Sequence, residues 1–177
     1  VDLGEEIIMI KYFSFIFFIG LAWGQDNCTA DDGTEGIELW GICYSIENTT
    51  EISEHGGITG EIPPEIGNLT NLENLSLYNN ELTGSIPSEI GNLSNLNSLN
   101  LSLNQLSGSI PPEIGQLNNL ILLNLADNEL SGTIPSEIEN LTNLVRLWIK
   151  GNQLSGVVPE SICDLNINWS SHIRFRI

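Results

Sequence analysis

Residues Leu72–Asn92 read LENLSLYNNELTGSIPSEIGN, and this stretch decides the fold. It has leucines at two spacings, an Asn where a core would want carbon, and a Pro directly after an Ile. Neither a plain helix nor a plain strand has this pattern. The explanation lies in repetition. The same phrase starts at Leu69, Leu93, Leu117 and Leu141, a period of 24 residues, and a weaker copy precedes them as IENTTEISEHGGITGEIPPEIGN. Repetition at this period means a solenoid in which each unit packs on the next.

The residues within one unit then take separate tasks. Leu75 and Leu77 alternate with Ser76, which suits a short strand with one face turned inward. Each unit adds one such strand to a parallel sheet. Asn80, Asn104, Asn128 and Asn152 recur at the bend after the strand. Stacked one per coil, their amides can satisfy backbone groups that the bend removes from the ladder. Glycines recur at 60, 84, 108, 132 and 156, where a tight turn or a close backbone approach is needed. In PSEIGN, Pro87 suits the first turn of a short helix, Glu89 its positive end and Gly91 its exit. A strand, a second extended segment and a short helical turn therefore make one coil. In the weak first copy Gly56 aligns with the recurring Asn.

The chain has 177 residues. Met9 and Lys11 precede the apolar run YFSFIFFIGLA, and Ala22 and Gly24 lie at −3 and −1 of a cut before Gln25. This is the pattern of a secretory signal peptide, and the apolar run is short for a membrane span. The expected organisation is upstream residues and signal peptide over 1–24, an N-terminal cap over 25–44, about five coils over 45–164, and an incomplete C-terminal segment over 165–177. All acidic residues but Asp2, Glu5 and Glu6 follow Gln25, against Arg146, Lys150, Arg174 and Arg176 as the only cations there. Such a surface repels nucleic acid and anionic membranes, so neither is expected as a partner. Cys28 and Cys43 are near enough in sequence to pair in an exported chain, which leaves Cys163 over.

With LTGSIPSEIGNLSNL in view, the chain resembles the plant-type leucine-rich repeats of plant receptor-like proteins and receptor kinases, and similar arrays in secreted bacterial proteins. The resemblance covers about Ser45 to Asp164 and extends into LWGICYS, residues 39–45, which is similar to the end of that family's N-terminal cap. It implies an α/β right-handed solenoid with a parallel sheet on the concave face and short helical turns on the convex side. It also implies that Cys28 and Cys43 are the disulfide pair of the cap. The tail departs from the pattern, with Asn168 and Ser171 where leucines would recur.

Catalytic chemistry finds little support. Glu65, Glu89, Glu113 and Glu137 form a carboxylate ladder, but as a by-product of repetition in exposed turns. His55 and His172 sit in no catalytic motif, and no Cys/His cluster has metal-ligand spacing. No enzyme activity and no cofactor are expected. Sequons occur at Asn27, Asn48, Asn68, Asn74, Asn92, Asn100, Asn140 and Asn168, most of them arising from the repeat phrase.

The concave face is the best candidate for function. Its outward triples are Asn74-Ser76-Tyr78, Ser98-Asn100-Ser102, Leu122-Asn124-Ala126 and Arg146-Trp148-Lys150. The last places two cations around a Trp on one strand, and Arg and Trp are favoured interface anchors. Arg146, Trp148, Lys150, Tyr78, Asn100 and Asn124 are therefore the expected ligand contacts. The partner is expected to be an extracellular protein, peptide or glycan. The competing readings are a spacer or adhesion element without a discrete site, and a surface-array binder of the ice-binding kind. The latter needs a Thr-rich ladder, whereas Thr59, Thr83, Ser107, Ser131 and Ser155 make a mixed one.

Overall fold

The computed structural model describes residues 27–160 together with 162, 165 and 167. The expected signal peptide, Cys163, His172, Arg174, Arg176 and most of the expected C-terminal segment lie outside the described residues.

Three short strands open the fold. β1 (Asn27–Thr29), β2 (Glu35–Leu39) and β3 (Ile42–Ser45) form an antiparallel sheet in that order. Trp40 and Gly41 join β2 to β3 with φ of 52° and 80°, the pair of positive values that a tight two-residue hairpin requires. Cys28 and Cys43 form a disulfide across this sheet, with Cα atoms 5.9 Å apart. Trp40 also holds the sheet to the first coil, because its indole N–H donates to the Glu61 carbonyl at 3.2 Å.

The repeats follow. β4 (Glu51–Ser53), β6 (Asn74–Ser76), β8 (Ser98–Asn100), β10 (Leu122–Asn124) and β12 (Arg146–Trp148) form one five-stranded parallel sheet, each coil pairing with the next. β5 (Thr59–Glu61) pairs with β7 (Glu81–Thr83), and β9 (Ser107–Ser109), β11 (Glu129–Gly132) and β13 (Gln153–Leu154) continue on the other side of a break. The Ser107 N–H bridges that break by donating to the Gly84 carbonyl at 2.7 Å. These second strands are the extended segments expected after each bend.

The helical turns are 3-10 helices at Pro64–Asn68, Ser88–Asn92, Pro112–Gln116 and Ser136–Asn140. Pro87 stands just outside its helix, at the N-cap with φ −69°, and Glu89 lies in the first turn as expected. The role expected of Gly91 needs correction. It does not form the helix exit, since Leu93 is the C-cap. A Cβ on Gly91 would lie 2.7 Å from the Glu113 carbonyl oxygen of the next coil, and Gly67 and Gly115 are confined in the same way. Glycine recurs here so that neighbouring turns can close on one another. The fourth coil has Glu139 at this place.

The leucines and isoleucines of successive coils fill a continuous core. Leu69, Leu72, Leu75, Leu77, Leu82 and Ile90 are all buried. The bend asparagines lie beside it. Asn104 Oδ1 accepts from the Leu82 N–H at 3.1 Å, while its Nδ2 donates to the Leu77 and Leu101 carbonyls at 2.8 and 3.1 Å. Asn128 repeats this between Leu106, Leu101 and Leu125, and Asn152 between Leu130, Leu125 and Ile149. Asn80 serves the first coil, where its oxygen accepts from both Gly57 and Ile58.

That first coil departs from the period. Ile52 pairs with Leu75, and Leu75 with Leu99, so the coil is one residue short at this point. The missing residue lies between Glu54 and Gly56. The Ile58 N–H donates to Asn80 Oδ1 as the Leu82 N–H does to Asn104, and the Gly56 N–H donates to the Asn79 carbonyl as the Asn80 N–H does to Leu103. Gly56, with φ 79°, therefore takes the place of the recurring Asn. Glu54 falls where the other coils have an inward leucine. It is half-buried and accepts from the Tyr44 hydroxyl at 3.2 Å. Burial, then the Glu54 charge, then this hydrogen bond raise the Tyr44 pKa.

Candidate functional site

Strand register places the outward side chains of the five-stranded sheet in rows. One row is Glu51, Asn74, Ser98, Leu122 and Arg146, and the next is Ser53, Ser76, Asn100, Asn124 and Trp148. On the last strand Leu147 and Ile149 turn inward and are buried, so the residues between them must face out. Arg146 and Lys150 are exposed and Trp148 is half-buried.

An open cleft of about 220 Å³ lies on this face, lined by Ser102, Leu103, Asn124, Ala126, Asp127, Trp148 and Lys150. The indole and the ammonium of one strand border it, and the small residues of the two preceding coils form its floor. Ala126 and Ser102 are buried there, and the short side chains make the depression possible.

The six expected contact residues are only partly brought together. Trp148, Lys150 and Asn124 line the cleft, with Arg146 further along the same strand. Asn124 is a floor residue instead of an exposed contact, since it is only 8% exposed. Its amide is committed within the sheet, where Nδ2 donates to Ser102 Oγ at 3.0 Å and Oδ1 accepts from the Ala126 N–H at 3.1 Å. Asn100 is similarly engaged, with Oδ1 accepting from both the N–H and the hydroxyl of Ser102. Tyr78 lies apart. It stacks on His55 with ring centroids 5.5 Å apart, and three strand spacings, about 14 Å, separate its strand from β12.

Two lining residues escaped the sequence reading. Leu103 and Asp127 occupy the bend position with φ of 57° and 55°, which swings each side chain over the rim of the sheet. A signal existed: the residue before each bend asparagine is Asn79, Asp127 or Gly151 in three of the four full copies. These are the types that tolerate a left-handed backbone. Leu103 alone breaks that signal. A second asparagine ladder was also missed. Asn71, Asn95, Asn119 and Asn143 each donate to a carbonyl of the previous coil, at Glu47, Thr70, Ser94 and Asn118. Among the described residues no group of three or more His, Cys, Asp or Glu side chains could hold a metal ion.

Parallel strands stacked one per coil, an internal asparagine ladder and an outward-facing sheet define a repeat scaffold with one open parallel face. The Leucine Rich Repeat family profile matches residues 71–93, 95–117, 119–141 and 143–165, and the chain belongs to that family. No curated protein matches the chain significantly. Among solved structures, it is similar to the BIR3–SERK2 complex from Arabidopsis thaliana, with 42% identity and a TM-score of 0.57 over 62% of each chain. It is similar to RGFR1, a plant peptide hormone receptor in complex with RGF2, with 39% identity and a TM-score of 0.64 over 69% of this chain and 24% of that one. It is also similar to a plant ice-binding protein, with 34% identity and a TM-score of 0.64 over 67% of this chain and 39% of that one. The chain thus spans less than two thirds of each of these three.

Proposed function

We propose that the chain is an extracellular binding module that takes a protein or peptide ligand against its concave sheet, over β8, β10 and β12, and that it catalyses no reaction. The observation that carries this reading is the cleft between Trp148 and the small residues of the two preceding coils. Arg146 and Lys150, beside it, are the only Lys or Arg between residues 27 and 160. The likeness to a peptide hormone receptor supports the ligand class. The Cys28–Cys43 disulfide suits an oxidising compartment, and no helix among the described residues is long and apolar enough to cross a membrane.

The ice-binding relative favours a second reading, in which a regular hydroxyl ladder is the active surface. The ladder here is engaged internally. Thr83, Ser107, Ser131 and Ser155 each donate a hydroxyl hydrogen to the glycine carbonyl of the previous coil. That internal use weighs against the second reading.

The test is Trp148→Ala in the full chain. Ligand capture from an extracellular extract should fall by about 30-fold, the effect of removing an interface hot spot. The melting temperature should stay nearly unchanged, because the side chain projects from the sheet. Capture retained with a lowered melting temperature refutes the assignment and makes Trp148 structural.

A further inference from the structure

The three outward groups of the last concave strand form a pattern with a specific complement. A guanidinium at Arg146, an indole at Trp148 and an ammonium at Lys150 stand at alternate positions. Alternate residues of a strand are about 6.6 Å apart, so the two cations are about 13 Å apart with the indole between them. Among the described residues the face around them offers no third cation, and the opposite end of the same row carries Glu51. The cleft beside the indole is walled by Leu103 and floored by Ala126, with the exposed Asp127 carboxylate also lining it.

An extended peptide laid along this strand has the same period of two, so its residues i, i+2 and i+4 meet the three groups in register. We propose that the ligand is an acidic peptide segment of the form acidic–x–aromatic–x–acidic, with a tyrosine or tryptophan at its centre. This rests on the concave-face reading above. The two carboxylates pair with Arg146 and Lys150, and the central ring enters the cleft against Trp148. The hydroxyl or indole N–H of that ring donates to Asp127, which selects it over a phenylalanine. The acidic remainder of the surface repels such a segment from other sites and directs it to this one.

The test is isothermal titration of the full chain with two synthetic peptides of identical composition. One is acetyl-Ser-Glu-Thr-Tyr-Thr-Glu-Ser-amide, and the other gathers its two glutamates side by side at one end. The spaced peptide should bind about tenfold tighter and weaken as salt rises. Arg146→Gln and Lys150→Gln should each remove most of that preference. Equal affinity of the two peptides, salt-independent binding, no binding of either, or a preference for oligogalacturonate overturns the proposal. If Trp148→Ala weakens both peptides equally and spacing has no effect, the concave-face reading stands and this inference alone falls. If both bind but Trp148→Ala weakens neither, both fall.

Discussion

Replacing Asn104 with Leu adds apolar surface to a buried site and should nevertheless destabilise the fold. The bend asparagines share their acceptors. The Leu77 carbonyl accepts from Asn80 and Asn104, and the Leu101 carbonyl from Asn104 and Asn128. In the Leu variant both carbonyls keep one partner, so each lost bond costs only about 0.5–1 kcal/mol. The Leu82 N–H differs, because it donates to Asn104 Oδ1 and lies within the buried core. Left without an acceptor it costs about 1–3 kcal/mol. The expected loss is therefore about 2–5 kcal/mol, read as a lower midpoint in urea with the slope unchanged. Asn95→Ala is the control. Its amide also reaches back to the previous coil, at Thr70, but it is exposed, so water replaces the bond and the loss should be below about 1 kcal/mol. Equal losses in the two variants, or an unchanged midpoint for Asn104→Leu, would refute the claim that burial gives the inner ladder its weight.

Gly91→Ala should cost about 1–3 kcal/mol, the range for overpacking, although alanine ordinarily favours a helix, because the new Cβ meets the Glu113 backbone and Cβ; thermal unfolding checks the sign. Leu103→Asn should raise the unfolding free energy by about 1 kcal/mol, since Leu103 sits at φ 57° where asparagine is tolerated, and a chemical denaturation midpoint decides it. Asp32 is held down to about 2 by the Thr34 hydroxyl, the Thr34 N–H and the Asn48 amide. A carboxylate lowered in the folded state stabilises above its unfolded value, and that contribution is lost as pH falls through the folded one. Asp32→Asn should therefore shrink the fall in melting temperature between about pH 4 and pH 2; an unchanged acid limb in the variant would show that the latch is not made in solution.

The repeat, its strand and its inward leucines were legible in the sequence, because packing one coil on the next imposes the same demand every 24 residues. Asn104 and its counterparts were legible for the same reason, and so was the outward direction of Arg146, Trp148 and Lys150, which needs only the period of a strand. Other features depend on what neighbouring coils do to each other. Gly91 could be seen to recur, but only the approach of Glu113 shows why. Asn124 has the outward position of a contact residue, yet Ser102 of the coil before it and Ala126 beyond it take up its amide. The cleft itself arises where a left-handed bend swings Leu103 and Asp127 over small residues beside an indole. A linear pattern specifies which side of a strand a residue occupies. The depth of the surface at that point depends on the sizes and bend angles of residues one and two coils away, which only the stacked structure brings together.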